Sequence, residues 1–135
     1  MATRKNQTYR DHQIILDQAL GQVLRSGKFK LRSDGVTTQL VENGIAHTFA
    51  IKGTLLPQGD CLYVEFANDK HPPIWSKSGI DWLLFYINQQ TLLIDWKELR
   101  AEIDRTKDQL EVRMSPTSSG WLFPVAAIPK CRVFE

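Results

Sequence analysis

Between residues 8 and 26 the apolar side chains Ile15, Leu16, Ala19, Leu20, Val23 and Leu24 recur at helical spacing. They form one stripe and predict an amphipathic helix. Gly27 stands just past its end, and Arg25 sits in the last turn, where a cation suits the helix dipole. The period then shortens to two. Lys28-Phe29-Lys30-Leu31-Arg32 alternates polar and apolar and reads as a strand. Residues 36–42 and 45–52 read as two further strands around Asn43-Gly44, a dipeptide suited to the two positive φ angles of a type I′ turn. A two-residue turn there places Gly35 opposite Lys52 and Asp34 opposite Gly53, so that a carboxylate and an ammonium meet at the open end of the hairpin.

Beyond Gly53, residues 55–60 contain Pro57 and Gly59 and predict a loop, and 61–66 a fourth strand rich in aromatic and β-branched residues. Residues 68–79, with Pro72-Pro73 and Gly79, form a long connection of the kind that serves as a lid or binding loop. Residues 80–89 are apolar nearly all round, and their length predicts a buried helix. Residues 91–96 read as a strand, 97–107 as a charged helix with Leu99 and Ile103 inward, and 110–114 with 121–128 as a terminal hairpin around 116–120. Strand 61–66, helix 80–89 and strand 91–96 would make one right-handed crossover. The predicted fold class is α/β or α+β with a mixed sheet, in one domain spanning 1–135.

A hydrophobic content of 42% with 24% charged residues excludes a disordered chain. The apolar run 82–87 is far short of the roughly 20 residues that cross a bilayer, and no basic-then-apolar start suggests a signal peptide. Cys61 and Cys131 lack zinc spacing and are too few for a disulfide scaffold, so reduced thiols in a cytoplasmic protein are expected. His12, His47 and His71 are scattered, and no Gly-rich phosphate loop is present. The net charge of +2 makes no case for nucleic acid by itself. Its distribution is more telling: Arg25, Lys28, Lys30 and Arg32 cluster without acids, with Arg4, Lys5 and Arg10 upstream. Such a patch can follow a phosphate backbone, although a solvated helix end and strand face has the same composition. Thr37 and Gln39 project from the hairpin, and a β-ribbon in a major groove can read adenine through glutamine. Among the four tryptophans Trp75, beside Pro72-Pro73, is the one expected to pack against DNA or a partner subunit rather than in the core.

The hairpin carries the chemistry. Mg²⁺ is usually held by one or two carboxylates plus substrate phosphates, and a neighbouring lysine can orient water or stabilise charge developing on phosphorus. Ser33-Asp34-Gly35 followed by Phe49-Ala50-Ile51-Lys52-Gly53, in the order helix, three-strand meander, helix, strand with one inserted strand, resembles the PD-(D/E)xK nuclease superfamily. The stretch through Val64-Glu65-Phe66 to Ser78-Gly79-Ile80-Asp81-Trp82 resembles its small phage-type and homing-type members. The resemblance covers about two-thirds of the chain and implies a restriction-endonuclease-like αβββαβ core, followed here by a C-terminal helix and β-hairpin. It implies an endonuclease cleaving double-stranded DNA with Mg²⁺ or Mn²⁺, acting as a homodimer or homotetramer. A Holliday-junction-resolving nuclease is equally compatible.

By that resemblance Asp34 ligates the metal and Lys52 activates or positions the water. The sequence departs from the pattern at Ala50, which stands where the second carboxylate belongs. Three explanations remain open: a deliberate acid-to-alanine substitution, a migrated carboxylate (Glu65, or Asp11 or Asp17 of the first helix), or a catalytically inactive DNA-binding relative.

Overall fold

The computed structural model describes residues 4–55 and 59–135, with side chains from residue 10 onward. The side chains of Arg4 and Lys5 and the middle of the loop expected over 55–60 lie outside the described residues. The elements are α1 (Arg4–Arg25), β1 (Lys30–Ser33), β2 (Thr38–Glu42), β3 (Ile45–Gly53), β4 (Cys61–Asn68), β5 (Trp82–Ile87), β6 (Gln90–Asp95), α2 (Trp96–Thr106), β7 (Glu111–Met114), β8 (Ser118–Pro124) and β9 (Cys131–Phe134). Six strands form one sheet in the order β1-β2-β3-β5-β6-β9, and three form a second in the order β4-β8-β7. The large sheet is mixed, because β3 and β5 run parallel while β5 and β6 run antiparallel. The fold is thus α+β, as expected.

The centre of the large sheet, strands β5 and β6, is buried on both faces. On one side Ile51, Leu84 and Leu93 pack with Ile15, Ala19 and Val23 of α1. On the other, Leu83, Phe85, Leu92 and Ile94 pack with Leu62 and Val64 of β4, Phe123 of β8, and Leu99 and Ile103 of α2. Strand β5 contributes to both, Trp82, Leu84 and Tyr86 facing α1 and Leu83, Phe85 and Ile87 facing away. This corrects the helix expected over 80–89. A strand covered on both sides reads as an unbroken apolar run, which periodicity alone does not separate from a buried helix. Asn88 and Gln89, at φ 49° and 64°, make a second two-residue turn into β6.

Two further expectations change with it. No helix stands between β4 and β6, so the expected αβββαβ order is replaced by six strands in succession between α1 and α2. The predicted crossover also fails, because β4 leaves for the small sheet. The parallel pair is β3 with β5, joined through β4 and a short 3₁₀ turn at Ile74–Ser76.

The β2–β3 hairpin has the predicted turn and register, with Asn43 and Gly44 at φ 53° and 79° and Glu42 paired with Ile45. Its pairing ends at Gln39 with Thr48, and from Phe49 onward β3 pairs β5 on its other edge. Asp34 therefore has no strand partner across from Gly53. Gln22 fastens α1 to the β5–β6 hairpin: its Nε2 donates to the Gln89 carbonyl at 2.9 Å, and its Oε1 accepts from Thr91 Oγ1 at 2.6 Å. At the opposite end of the sheet, Arg132 of β9 makes a bidentate pair with Glu42 at 2.7 and 3.0 Å and lies over the rings of Phe29 and Trp82. No helix among the described residues is long and apolar enough to cross a membrane.

Candidate functional site

Side chains directly opposite one another in a sheet share a face, and successive ones alternate. Leu40 and Ile51 lie under α1. Lys30, Arg32, Gln39, Thr48, Ala50 and Lys52 accordingly share the face turned away from α1. Arg32, Gln39 and Thr48 form a row across β1, β2 and β3. Lys52 stands four residues further along β3, about 13 Å on at strand spacing.

Where this face meets the small sheet there is a cavity of about 360 Å³. Its large-sheet wall is Lys52, Gly53, Thr54, Phe85 and Ile87, its β4 wall Cys61, Tyr63 and Glu65, and its remaining lining Ile74, Arg113, Ser115 and Ser118. Glu65 sits at a bulge in β4, between Glu65 and Ala67, a device that re-aims a side chain. The Glu65 side chain is 18% exposed. Its Oε2 accepts from Asn68 Nδ2 at 3.1 Å, whereas Oε1 is buried without a hydrogen-bond partner, the nearest imidazole nitrogen, His71 Nδ1, lying 4.0 Å away. The Tyr63 ring lies against Gly120, where a Cβ would come within 2.5 Å of Tyr63 Cε2. That contact sends the Tyr63 hydroxyl to Ser118 Oγ at 3.0 Å.

Burial, and then repulsion from Lys77, hold the Lys52 pKa below the ordinary lysine value, while the Glu65 carboxylate pulls the other way with less effect. The charged form is therefore disfavoured by folding. Because its folded pKa is depressed, the penalty is fully present below the folded pKa, falls as pH rises from there toward the unfolded value, and is gone above it. Lys52→Met should raise stability at pH 7 by about 1 kcal/mol, a figure kept small because the ammonium is partly solvated. The gain should shrink toward alkaline pH, as measured by urea unfolding at pH 7 and pH 10. A loss of stability at pH 7 would mean that the Glu65 attraction dominates.

The other candidates are placed as follows. Asp34 is exposed, on the turn between β1 and β2, and does not line the cavity. Its Oδ1 accepts from the N–H groups of Thr37 at 2.7 Å and Val36 at 2.9 Å, and these bonds hold its pKa below the ordinary aspartate value. Thr37 also directs its hydroxyl to this carboxylate. Asp11 and Asp17 belong to α1, which covers the opposite face of the large sheet, so helix one does not bring a carboxylate to Lys52. Arg25 and Lys28 are exposed at the end of α1 and just after it. Trp75 corrects an expectation: it packs edge-on against Trp96 and Trp121, beneath Arg100, whose guanidinium lies 4.5 Å above the ring. Trp75 and the buried Ile74 anchor the 68–79 connection by hydrophobic packing.

Tyr63, Arg113, Ser115 and Ser118 were not legible as site residues. They converge only because β8 pairs β4 on one side and β7 on the other, and no local motif encodes that. Of the residues lining the cavity, only Glu65 carries a carboxylate. Its orphaned Oε1 suits a cation, but Ala50 offers no donor and Asp34 is engaged in its own turn. The donor set is thus one carboxylate short of the pair expected for Mg²⁺. Comparison of the chain with family models, curated proteins and solved structures returned no match.

Proposed function

We propose that this chain is a DNA-binding protein of the PD-(D/E)xK endonuclease type, in which the hydrolytic centre lacks one carboxylate. Double-stranded DNA would lie on the sheet face carrying Lys30, Arg32 and Gln39, with a backbone phosphate at Lys52. One observation carries the reading: Lys52 and Glu65, from different sheets, line a single cavity, and Lys52 points to the same face of the large sheet as Lys30 and Arg32. An ammonium kept partly dehydrated beside a carboxylate without a hydrogen-bond partner on one oxygen is costly to fold, and such costs concentrate at functional sites. Two such sites are needed to cut both strands, so the active form is a homodimer or homotetramer, in the cytoplasm. Cleavage by the chain as it stands is slow or absent.

The second reading, a catalytically inactive DNA-binding protein of the same fold, is favoured by the engagement of Asp34 with Val36 and Thr37. Both readings require phosphate contacts. Replacing Lys30 and Arg32 together by alanine should weaken duplex binding and flatten the plot of log K against log salt by about two units, since each lost phosphate contact contributes roughly 0.9. An unchanged slope in a salt titration followed by fluorescence anisotropy would show that the cluster merely faces water.

A further inference from the structure

The outer edge of the small sheet is open. Strand β7 pairs with β8 on one side, and among the described residues no strand takes its other side. All of its residues are exposed, including two large apolar side chains, Val112 at 45% and Met114 at 76%. Such an edge presents unpaired N–H and C=O groups, and proteins ordinarily blunt it with lysine, proline or a covering loop. Strand β7, Glu-Val-Arg-Met, has neither lysine nor proline.

The hairpin fixes which groups point outward. The Ser115 N–H donates to the Ser118 carbonyl at 2.8 Å, and pairing continues in the same register through Arg113 with Gly120 and Glu111 with Leu122. Backbone polar groups alternate sides along an antiparallel strand. Those of Glu111, Arg113 and Ser115 therefore turn toward β8, and those of Leu110, Val112 and Met114 turn outward. A second β7 laid antiparallel must match outward positions with outward positions. Pairing Val112 with Leu110 sets Glu111 against Glu111, and pairing Val112 with Met114 sets Arg113 against Arg113, both repulsive. Pairing Val112 with Val112 sets Glu111 opposite Arg113 on either side of the axis and Leu110 opposite Met114. The edge is self-complementary in that register. Strand β1 is the contrast: the Asp34 N–H donates to the Thr37 carbonyl, which turns Leu31 outward. Matching Leu31 with Leu31 or with Ser33 then sets Arg32 against Lys30 or against Arg32.

We propose that two copies of this chain associate about a two-fold axis at Val112, pairing β7 with β7 so that Glu111 lies opposite the partner's Arg113. The Val112 N–H donates to the partner's Val112 carbonyl and the reverse, and the Met114 N–H donates to the partner's Leu110 carbonyl. Glu111 and the partner's Arg113 form the non-hydrogen-bonded pair, with Cβ atoms about 4.5–5.5 Å apart. Val112 shares a face with Trp121, directly opposite it on β8, so an apolar face continues across the axis. Arg113 lines the cavity, and the second copy therefore contributes a carboxylate beside it at the cavity rim. Closure about a two-fold axis uses up both edges and leaves none to extend into a fibre. The inference goes beyond the DNA-binding reading, which calls for more than one copy but names no surface between them.

So short an edge buries less than a standard interface, and the dimer should be weak, with Kd on the order of 10–100 µM. Sedimentation velocity of the full chain without DNA, from about 1 to about 500 µM, should show the mass rise from 15.5 kDa toward twice that value. Arg113→Glu and Glu111→Arg should each raise Kd about tenfold or more, and the two together should restore it. Val112→Cys should give a disulfide-linked dimer under mild oxidation, beyond any formed through Cys61 and Cys131 in the unaltered chain. The two thiols then face each other at the axis, with Cα atoms about 5.5 Å apart. A monomer throughout the concentration range would overturn the inference, and so would a dimer indifferent to both charge reversals. A double variant no tighter than either single one, or no added cross-link at position 112, would overturn the register. DNA binding enters none of these measurements, so failure of the dimer leaves that reading standing, and loss of duplex affinity leaves the dimer standing.

Discussion

Ala50→Glu should convert this protein into a Mg²⁺-dependent nuclease, with cleavage at least about 100-fold faster than that of the unaltered chain, the factor commonly associated with one essential electrostatic group. Ala50 lies on the same face of β3 as Lys52, two residues before it, opposite Leu83 and against the apolar cluster between the sheets. A carboxylate placed there is partly desolvated by that cluster and lies two residues from Lys52 in the cavity wall. Without a cation it should lower stability by about 1–3 kcal/mol. Mg²⁺ should restore that loss in the variant and leave the unaltered chain unchanged, because a ligand stabilises only the state that binds it. Thermal unfolding with and without Mg²⁺ reads this separately from cleavage of supercoiled plasmid. A further Lys52→Ala change should abolish cleavage while leaving the Mg²⁺ effect on stability. Rapid Mg²⁺-dependent cutting by the unaltered chain would show that Glu65 already completes the site, with Glu65→Gln as the decisive follow-up. Neither stabilisation nor cleavage in Ala50→Glu, despite tight DNA binding, would leave the inactive DNA-binding reading.

Gly53→Ala should be the most disruptive single-methyl change near the cavity, costing about 3 kcal/mol in urea unfolding. A Cβ at Gly53 would meet the Tyr86 carbonyl oxygen at an impossible distance and come within 2.8 Å of Tyr86 Cβ and 2.9 Å of Tyr86 N. Backbone on β5 cannot swing aside as a flexible side chain can, and the same Tyr86 carbonyl accepts the Thr54 N–H at 2.9 Å. Relief requires the end of β3 to separate from β5, which moves Lys52 and Thr54 in the cavity wall. DNA binding at Lys52 should fall together with stability. Gly35→Ala is a useful contrast: nothing lies within 4 Å of its Cβ position, so only the positive φ of 86° opposes it. Its cost should be near 1 kcal/mol. Equal stability of Gly53→Ala and the unaltered chain would show that the β3–β5 junction is not closely packed.

Much of the fold was legible where one local rule acted alone. The stripe of Ile15, Ala19 and Val23 is the face α1 buries, and Asn43-Gly44 dictated both turn and register because few other dipeptides accept two positive φ angles. Strand β4 and the charged helix α2 with Leu99 and Ile103 inward were readable for similar reasons. So was the existence of the terminal hairpin, but its second strand runs Ser118–Pro124 rather than 121–128, and β9 was not expected. What the sequence could not decide was which edges pair. Trp82-Leu83-Leu84-Phe85-Tyr86-Ile87 has no period, because α1 covers one face and the small sheet the other. The choice between strand and helix was therefore made by the layers around it. The site divides the same way. Lys52 and Glu65 were individually visible, but their shared cavity depends on β4 leaving the large sheet and returning against it. Asp34 was expected across from Gly53 and instead closes its own turn, because β3 exchanges β2 for β5 after Thr48. Chain-local geometry was written in residue order; the partners of each edge were fixed only by burying both faces of the central sheet at once.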